Sequence, residues 1–280
     1  MTRGFRFGVN MTVDEDRMAW VDKCRQAEAL GYDMIHVPDH LGLPAPFPSL
    51  VLAAESTEST RVGTFVLNAS FYNPVLLARD VFAMQGYTDN RFEFGVGAGY
   101  VKAEFDKAGI PWPTAGQRIG NLERTVEHIQ AEARTPLPLL VGGNGDRVLR
   151  LAATRADVVG FSGLRSDPVE GTLSIIPATA IDERVAFVRQ EAGSRDYESN
   201  FLIQLIVITK DRRASAETLY ERYKPPFPLD DLLEWPGFLL GEPKEIAEQV
   251  REHRDRYGFT YLSVLEPAMA DFAKVIEHLK

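Results

Sequence analysis

The 280-residue sequence predicts a closed (β/α)8 barrel of the α/β class. Three observations lead there. Short apolar runs recur along the chain, most of them near-continuous, as parallel strands covered on both faces require. Amphipathic segments of helical period separate them. No linker or composition break divides the chain, which predicts one domain over 1–280. An open doubly wound sheet is the alternative if a short strand is misassigned.

The predicted strands are FRFGVN (5–10), MIHVPDH (34–40), VGTFVLNAS (62–70), FEFGVGAG (92–99), PLLVGG (138–143), DVVGFSG (157–163), FLIQLIVIT (201–209) and YLSVLEP (261–267). Helical patterns cover 14–31, which stops at Gly31, and 74–89, which opens on Pro74. Others cover 116–134, 145–155, 180–192, 212–223, 243–257 and 268–279. Three connections exceed what a barrel needs: 100–115, 164–179 and 224–242. The first two follow strand ends and so rim the face where barrel enzymes keep their sites.

The chain is 45% hydrophobic with a formal charge of −9. That composition supports a large core and opposes a nucleic-acid or anionic-membrane surface. The single cysteine, Cys24, falls in a helical pattern as a core residue. No segment has the ~18 continuous apolar residues of a membrane span, and no apolar leader precedes the first strand. A cytoplasmic globular protein is the expectation.

Candidate chemistry lies at the strand tips. The second strand ends Val37-Pro38-Asp39-His40, and a histidine there suits proton transfer or orientation of a ring. His36 and His40 share parity on the strand, but His128, His253 and His278 fall in helices, so no metal site is predicted. The fourth strand carries glycine at 95, 97 and 99, followed by Tyr100 and, further on, Glu104. Those glycines admit either a flat ligand or tight packing of the barrel itself. Asn68, Ser70 and Asn73 offer hydrogen bonds to a heterocycle, or are polar only because they lie in a loop. Gly142, Gly143 and Asn144 open a helix, where backbone N–H groups and the helix dipole favour an anion; Ser162-Gly163, one strand on, add a hydroxyl. The competing reading makes Asn144 or Asp146 an ordinary helix cap.

Four segments in this order, EALGYDMIHVPDHL (28–41), RVGTFVLNASFYNPVLLARD (61–80), NRFEFGVGAGYVKAEFDKAGIPW (90–112) and PLLVGGNGDRVLRLAATRADVVGFSG (138–163), resemble the luciferase-like monooxygenase superfamily, and most of all its branch that uses the deazaflavin coenzyme F420. The resemblance implies a (β/α)8 barrel, often dimeric, with the coenzyme at the C-terminal face and a small-molecule substrate. It sets His40 against the ring system and a non-proline cis peptide, Phe65–Val66, behind the ring. The phosphate would be held by Gly142, Gly143, Asn144, Ser162 and Gly163, with Asp39, Asn68, Gly97 and Gly99 as further cofactor contacts. Two departures stand out. Some relatives place a catalytic glutamate where this chain has Tyr100, leaving His40, Tyr100 and Glu104 as candidate proton donors. The long insertion that relatives carry before the fifth strand is absent. The expected activity is hydride transfer between F420 and a small organic molecule. An FMN-dependent monooxygenase is the first rival and a non-catalytic flavin-binding barrel the second. Lys102, Arg147 and Arg165 are candidate partners for the anionic tail of F420.

Overall fold

The structure is a computed structural model that describes residues 3–13, 16–167, 169 and 171–280. Eight parallel staves close on themselves. They are β1 (Arg6–Asn10), β2 (Met34–Val37), β3 (Arg61–Thr64, resuming at Leu67–Asn68), β4 (Phe92–Gly97), β5 (Leu139–Gly142), β6 (Val158–Phe161), β7 (Glu198–Ile203) and β8 (Phe259–Leu265). Closure is the pairing of β1 with β8, Arg6 opposite Tyr261 and Val9 opposite Val264. The Phe65–Val66 peptide is cis and divides β3; both halves pair with β4.

The near-continuous apolar runs have a simple cause. Outward positions such as Phe7, Val9, Ile35, Val62, Phe94, Val141 and Leu262 are buried under the helical layer. Each such side chain contributes roughly 1.5–3 kcal/mol. Inward positions are filled differently: Met34, Leu140, Val158 and Tyr261 form a small separate cluster, against which Phe65 and Val66 pack. Cys24 is buried in the first helix, Arg17–Ala29; the predicted start of that helix at residues 14 and 15 lies outside the described residues.

The structure corrects the element assignment in three places. The run 201–209 is not one strand. β7 ends at Ile203, and Leu205–Ile208 leaves the barrel to pair in parallel with Phe238–Gly241. The break falls at Gln204, where the N–H groups of Gln204 and Leu205 both donate to the carbonyl of Gly237. A helix, Pro46–Ser56, stands between β2 and β3 where none was predicted. Its two prolines occupy the first turn, where no intrahelical N–H is needed. The three long connections also carry structure: helix Lys102–Ala108, an antiparallel hairpin of Leu164–Ser166 with Leu173–Ile175, and helix Leu229–Leu233.

Candidate active site

The tips of β2, β3 and β4 bring one group of side chains together. His40 follows β2, and Glu104 sits in the first turn of the helix Lys102–Ala108. His40 Nδ1 lies 2.7 Å from Glu104 Oε1. The carboxylate only accepts, so Nδ1 carries the proton and Nε2 is left as the working nitrogen. The Glu104 side chain is 14% exposed and that of His40 is 39% exposed, so the pair is anchored inside and reachable from the mouth. The Tyr100 ring meets the His40 ring edge-on, with centroids 6.3 Å apart. Burial, and then the charge of Glu104, push the Tyr100 phenol above its ordinary value. Tyr100 is thereby a poorer acid than a free tyrosine, and the His40–Glu104 pair carries the proton chemistry this face offers.

Asp39 braces the loop beneath. Its Oδ2 accepts the backbone N–H of Asn68 at 3.0 Å, and its carboxylate also takes the Tyr72 hydroxyl. Burial pushes the Asp39 carboxyl up, and those two donors pull against it. Tyr72 was not singled out from sequence; its place at the end of the β3 loop gave no signal beyond loop polarity. Asn68 turns inward on the chain, its Oδ1 accepting the N–H of Ser70. Ser70 Oγ in turn accepts from Asn121 Nδ2 at 3.1 Å.

The glycines of β4 resolve toward packing. A Cβ on Gly97 would stand 2.8 Å from Val66 Cγ2, and one on Gly99, at φ +78°, 2.1 Å from Asn68 Oδ1. The space they open is filled by Val66 and Asn68 rather than left for a ligand, so their part in any cofactor site is to admit those two residues.

On the β5–β6 side the polar groups are mostly backbone. The helix Asp146–Arg155 is capped by Gly145 with no side-chain acceptor, so its first-turn N–H groups face outward unsatisfied by the chain's own side chains. Neither predicted cap acts as one. Asn144 Nδ2 donates to the carbonyl of Leu164 at 2.7 Å, and Asp146 pairs with Arg184. Gly142 ends β5, and the Gly143 N–H is taken by the carbonyl of Gly160 at 3.2 Å, so Gly143 shapes the loop instead of donating to an anion. Ser162 Oγ accepts from Leu164 N at 3.3 Å and keeps its own hydrogen to donate. Gly163 lies against Trp235 and its carbonyl receives Ile176 N–H. Of the three cations considered for an anionic tail, Lys102 is paired with Asp106 and Arg147 with Glu123. Arg165 has no ionic partner among the described residues.

No cluster of metal-ligating side chains occurs among the described residues. No helix among them is long and apolar enough to cross a membrane. A hollow of about 720 Å³ opens at the opposite, N-terminal end, lined by Arg3, Arg6, Arg61, Asp33 and Glu198 among others. Its Arg3 and Arg6 are already spent on Asp196, Glu93 and Glu198.

The chain is similar to several known proteins. The F420-dependent glucose-6-phosphate dehydrogenase of Intrasporangium calvum is 27% identical over 306 residues, covering 88% of this chain and 88% of that one. An F420-dependent secondary alcohol dehydrogenase in complex with an F420-acetone adduct superposes with a TM-score of 0.75 at 16% identity, covering 99% of this chain and 100% of that one. A long-chain alkane monooxygenase superposes equally well, with a TM-score of 0.75 at 11% identity, covering 100% of this chain and 92% of that one. Both superpositions speak to the fold alone. The sequence model of the luciferase-like monooxygenase family matches residues 5–122, the stretch from β1 through the His40–Glu104 pair.

Proposed function

We propose that this chain is an F420-dependent oxidoreductase that moves a hydride between the deazaflavin and a small organic substrate. The observation that carries the reading is the division of one barrel face between a proton-handling pair, His40–Glu104, and an uncapped helix start at Gly145. Sequence similarity to an F420-dependent dehydrogenase over 88% of the chain favours the deazaflavin over FMN.

The residues present fit such a group. The N–H groups at the start of Asp146–Arg155 and the Ser162 hydroxyl suit its phosphate, and the partly exposed Phe65–Val66 segment offers an apolar back wall. Arg165 is the cation available for its acidic tail. When bound, F420 supplies the carbon that takes or gives the hydride. His40 Nε2 holds or moves the substrate proton, and Glu104 keeps the ring in the one tautomer that leaves Nε2 working. Asp39 and Tyr72 hold the β2 and β3 loops so that His40 stays in place.

We also propose a cytoplasmic homodimer with the whole chain as one domain. The helix Pro74–Tyr87 exposes Val75, Leu76 and Tyr87 at 61%, 56% and 70%, apolar side chains that support contact with a second copy.

The test is a fluorescence titration of the purified protein with F420 and, separately, with FMN. Tight binding of F420 with weak binding of FMN supports the reading. Preference for FMN moves the activity to oxygen-dependent chemistry, and binding of neither defeats the anion-site assignment.

A further inference from the structure

Beside the apolar cluster of the barrel interior runs a buried polar network, and His36 is part of it. His36 lies on β2 four residues before His40 and is 0% exposed. Its ring is flat against that of Phe65, with centroids 4.4 Å apart and planes 5° from parallel. Its Nε2 is 2.6 Å from the Tyr261 hydroxyl, which is 3.1 Å from Glu93 Oε1. Arg6 holds the other Glu93 oxygen at 2.9 Å and covers the Tyr261 ring at 3.7 Å. On the far side of His36, Ser263 Oγ approaches Nδ1 at 3.5 Å and accepts from Asn200 Nδ2 at 2.8 Å.

The chemistry of these groups orders the hydrogens. Glu93 is ionised and only accepts, so Tyr261 donates to it and receives the Nε2 proton of His36. Ser263, already accepting from Asn200, turns its hydrogen toward Nδ1. A flipped imidazole would lose both contacts, so its plane is fixed. Space for the arrangement comes from β1, where a Cβ on Gly8 would stand 3.0 Å from His36 Cε1.

Barrel interiors are usually filled by branched apolar side chains, and a buried polar network is tolerated only where its members satisfy one another. Here the network runs from Arg6 at the N-terminal end up to one apolar surface, the ring of Phe65. Phe65 is partly exposed toward the mouth.

We propose that His36 is a positioning residue for the cofactor: by face-to-face contact it sets the plane of Phe65, and so the Phe65–Val66 wall on which the ring rests. The inference rests on the site reading given above. His36 touches neither the reacting atoms nor the cofactor, and its whole effect passes through Phe65.

That restriction defines the experiment. Coenzyme F420 is titrated into wild type, His36→Leu, Phe65→Leu and the double variant, following the dissociation constant and the induced circular dichroism of the bound deazaflavin. Each single change is expected to weaken binding about tenfold and to diminish the induced band, and the pair together also about tenfold, because the effects share one route. His36→Phe, which restores a flat ring, is expected to recover most of both signals. A role confined to stability moves the melting temperature and leaves the induced band of the folded protein intact. Wild-type affinity in His36→Leu, or a hundredfold loss in the double variant, overturns the inference. Should His36→Leu not fold, Tyr261→Phe takes its place in the same cycle with the same decision. Wild-type protein that binds no F420 overturns the site reading itself, and the inference with it.

Discussion

The two halves of the barrel mouth are built on opposite principles. On the β2–β4 side every functional group is a side chain already engaged by another: His40 by Glu104, Asp39 by Asn68 and Tyr72, Tyr100 by the edge of the His40 ring. On the β5–β6 side the available groups are backbone N–H donors that no side chain caps. Proton transfer needs an acid or base held in one orientation and tautomer, which pre-formed partners provide. Anion binding needs donors with nothing else to satisfy them, which an uncapped helix start provides.

Substitutions on the two sides therefore separate turnover from affinity. The largest expected effect is that of His40→Ala, a fall in kcat of about 10³-fold with F420 affinity held within a fewfold, read by steady-state kinetics beside the titration. A parallel loss of binding would merge the two halves into one. Glu104→Gln is expected to lower kcat about 10²-fold at unchanged fold, because the amide can offer Nδ1 an N–H and favour the wrong tautomer. Its nearly isosteric shape makes it the sharper probe. Gly143→Val acts on the other half: a Cβ there would stand 2.6 Å from Val148 Cγ1 and displace the first turn of Asp146–Arg155. F420 affinity is expected to drop about tenfold while kcat at saturation changes little.

A smaller effect comes from below the mouth. Burial alone would raise the Glu93 carboxyl, but the Arg6 guanidinium beside it outweighs burial and holds it down at about 2 against an ordinary 4.5. A carboxyl lowered on folding contributes stability above its unfolded value, and that contribution is lost as pH falls through the folded one. Melting temperature is therefore expected to decline from about pH 4.5 toward pH 2, and Glu93→Gln to flatten part of that decline. Glu28, also held at about 2, opposed by burial but capped by the N–H groups of Glu58, Ser59 and Thr60, accounts for part of what remains. An undiminished slope in Glu93→Gln would remove the interior network from the account of stability. Smallest of all for catalysis is Leu76→Glu, expected to convert a dimer to monomers in sedimentation equilibrium with kcat unchanged.

The barrel was legible from sequence because its staves present apolar residues to the helices, and runs such as FEFGVG or PLLVGG carry that pattern in a few residues. The end of β7 was not. Apolar residues continue past Gln204 into the outer two-stranded sheet, and hydrophobicity does not say which sheet a strand joins. The helix Pro46–Ser56 was hidden by two prolines that read as loop and serve as a helix start. At the site, residue types at strand tips named His40, Tyr100 and Glu104 but not their pairing, since the His40–Glu104 bond spans 64 positions. The glycines of β4 left ligand and packing open, and only the positions of Val66 and Asn68 decide between them. His36 was weighed solely as a metal ligand, because the partners that define it, Tyr261, Ser263 and Glu93, lie on β4 and β8.

Closure of the barrel by β1 against β8 has a consequence for synthesis. The edge of β1 that receives Tyr261 to Leu265 has no partner until on the order of 250 further residues have been made. At typical elongation rates that is roughly 10–50 seconds. Through that interval the nascent chain is an open sheet with a bare strand edge, a template for wrong pairing. The most vulnerable edge of the barrel is thus made long before the strand that protects it.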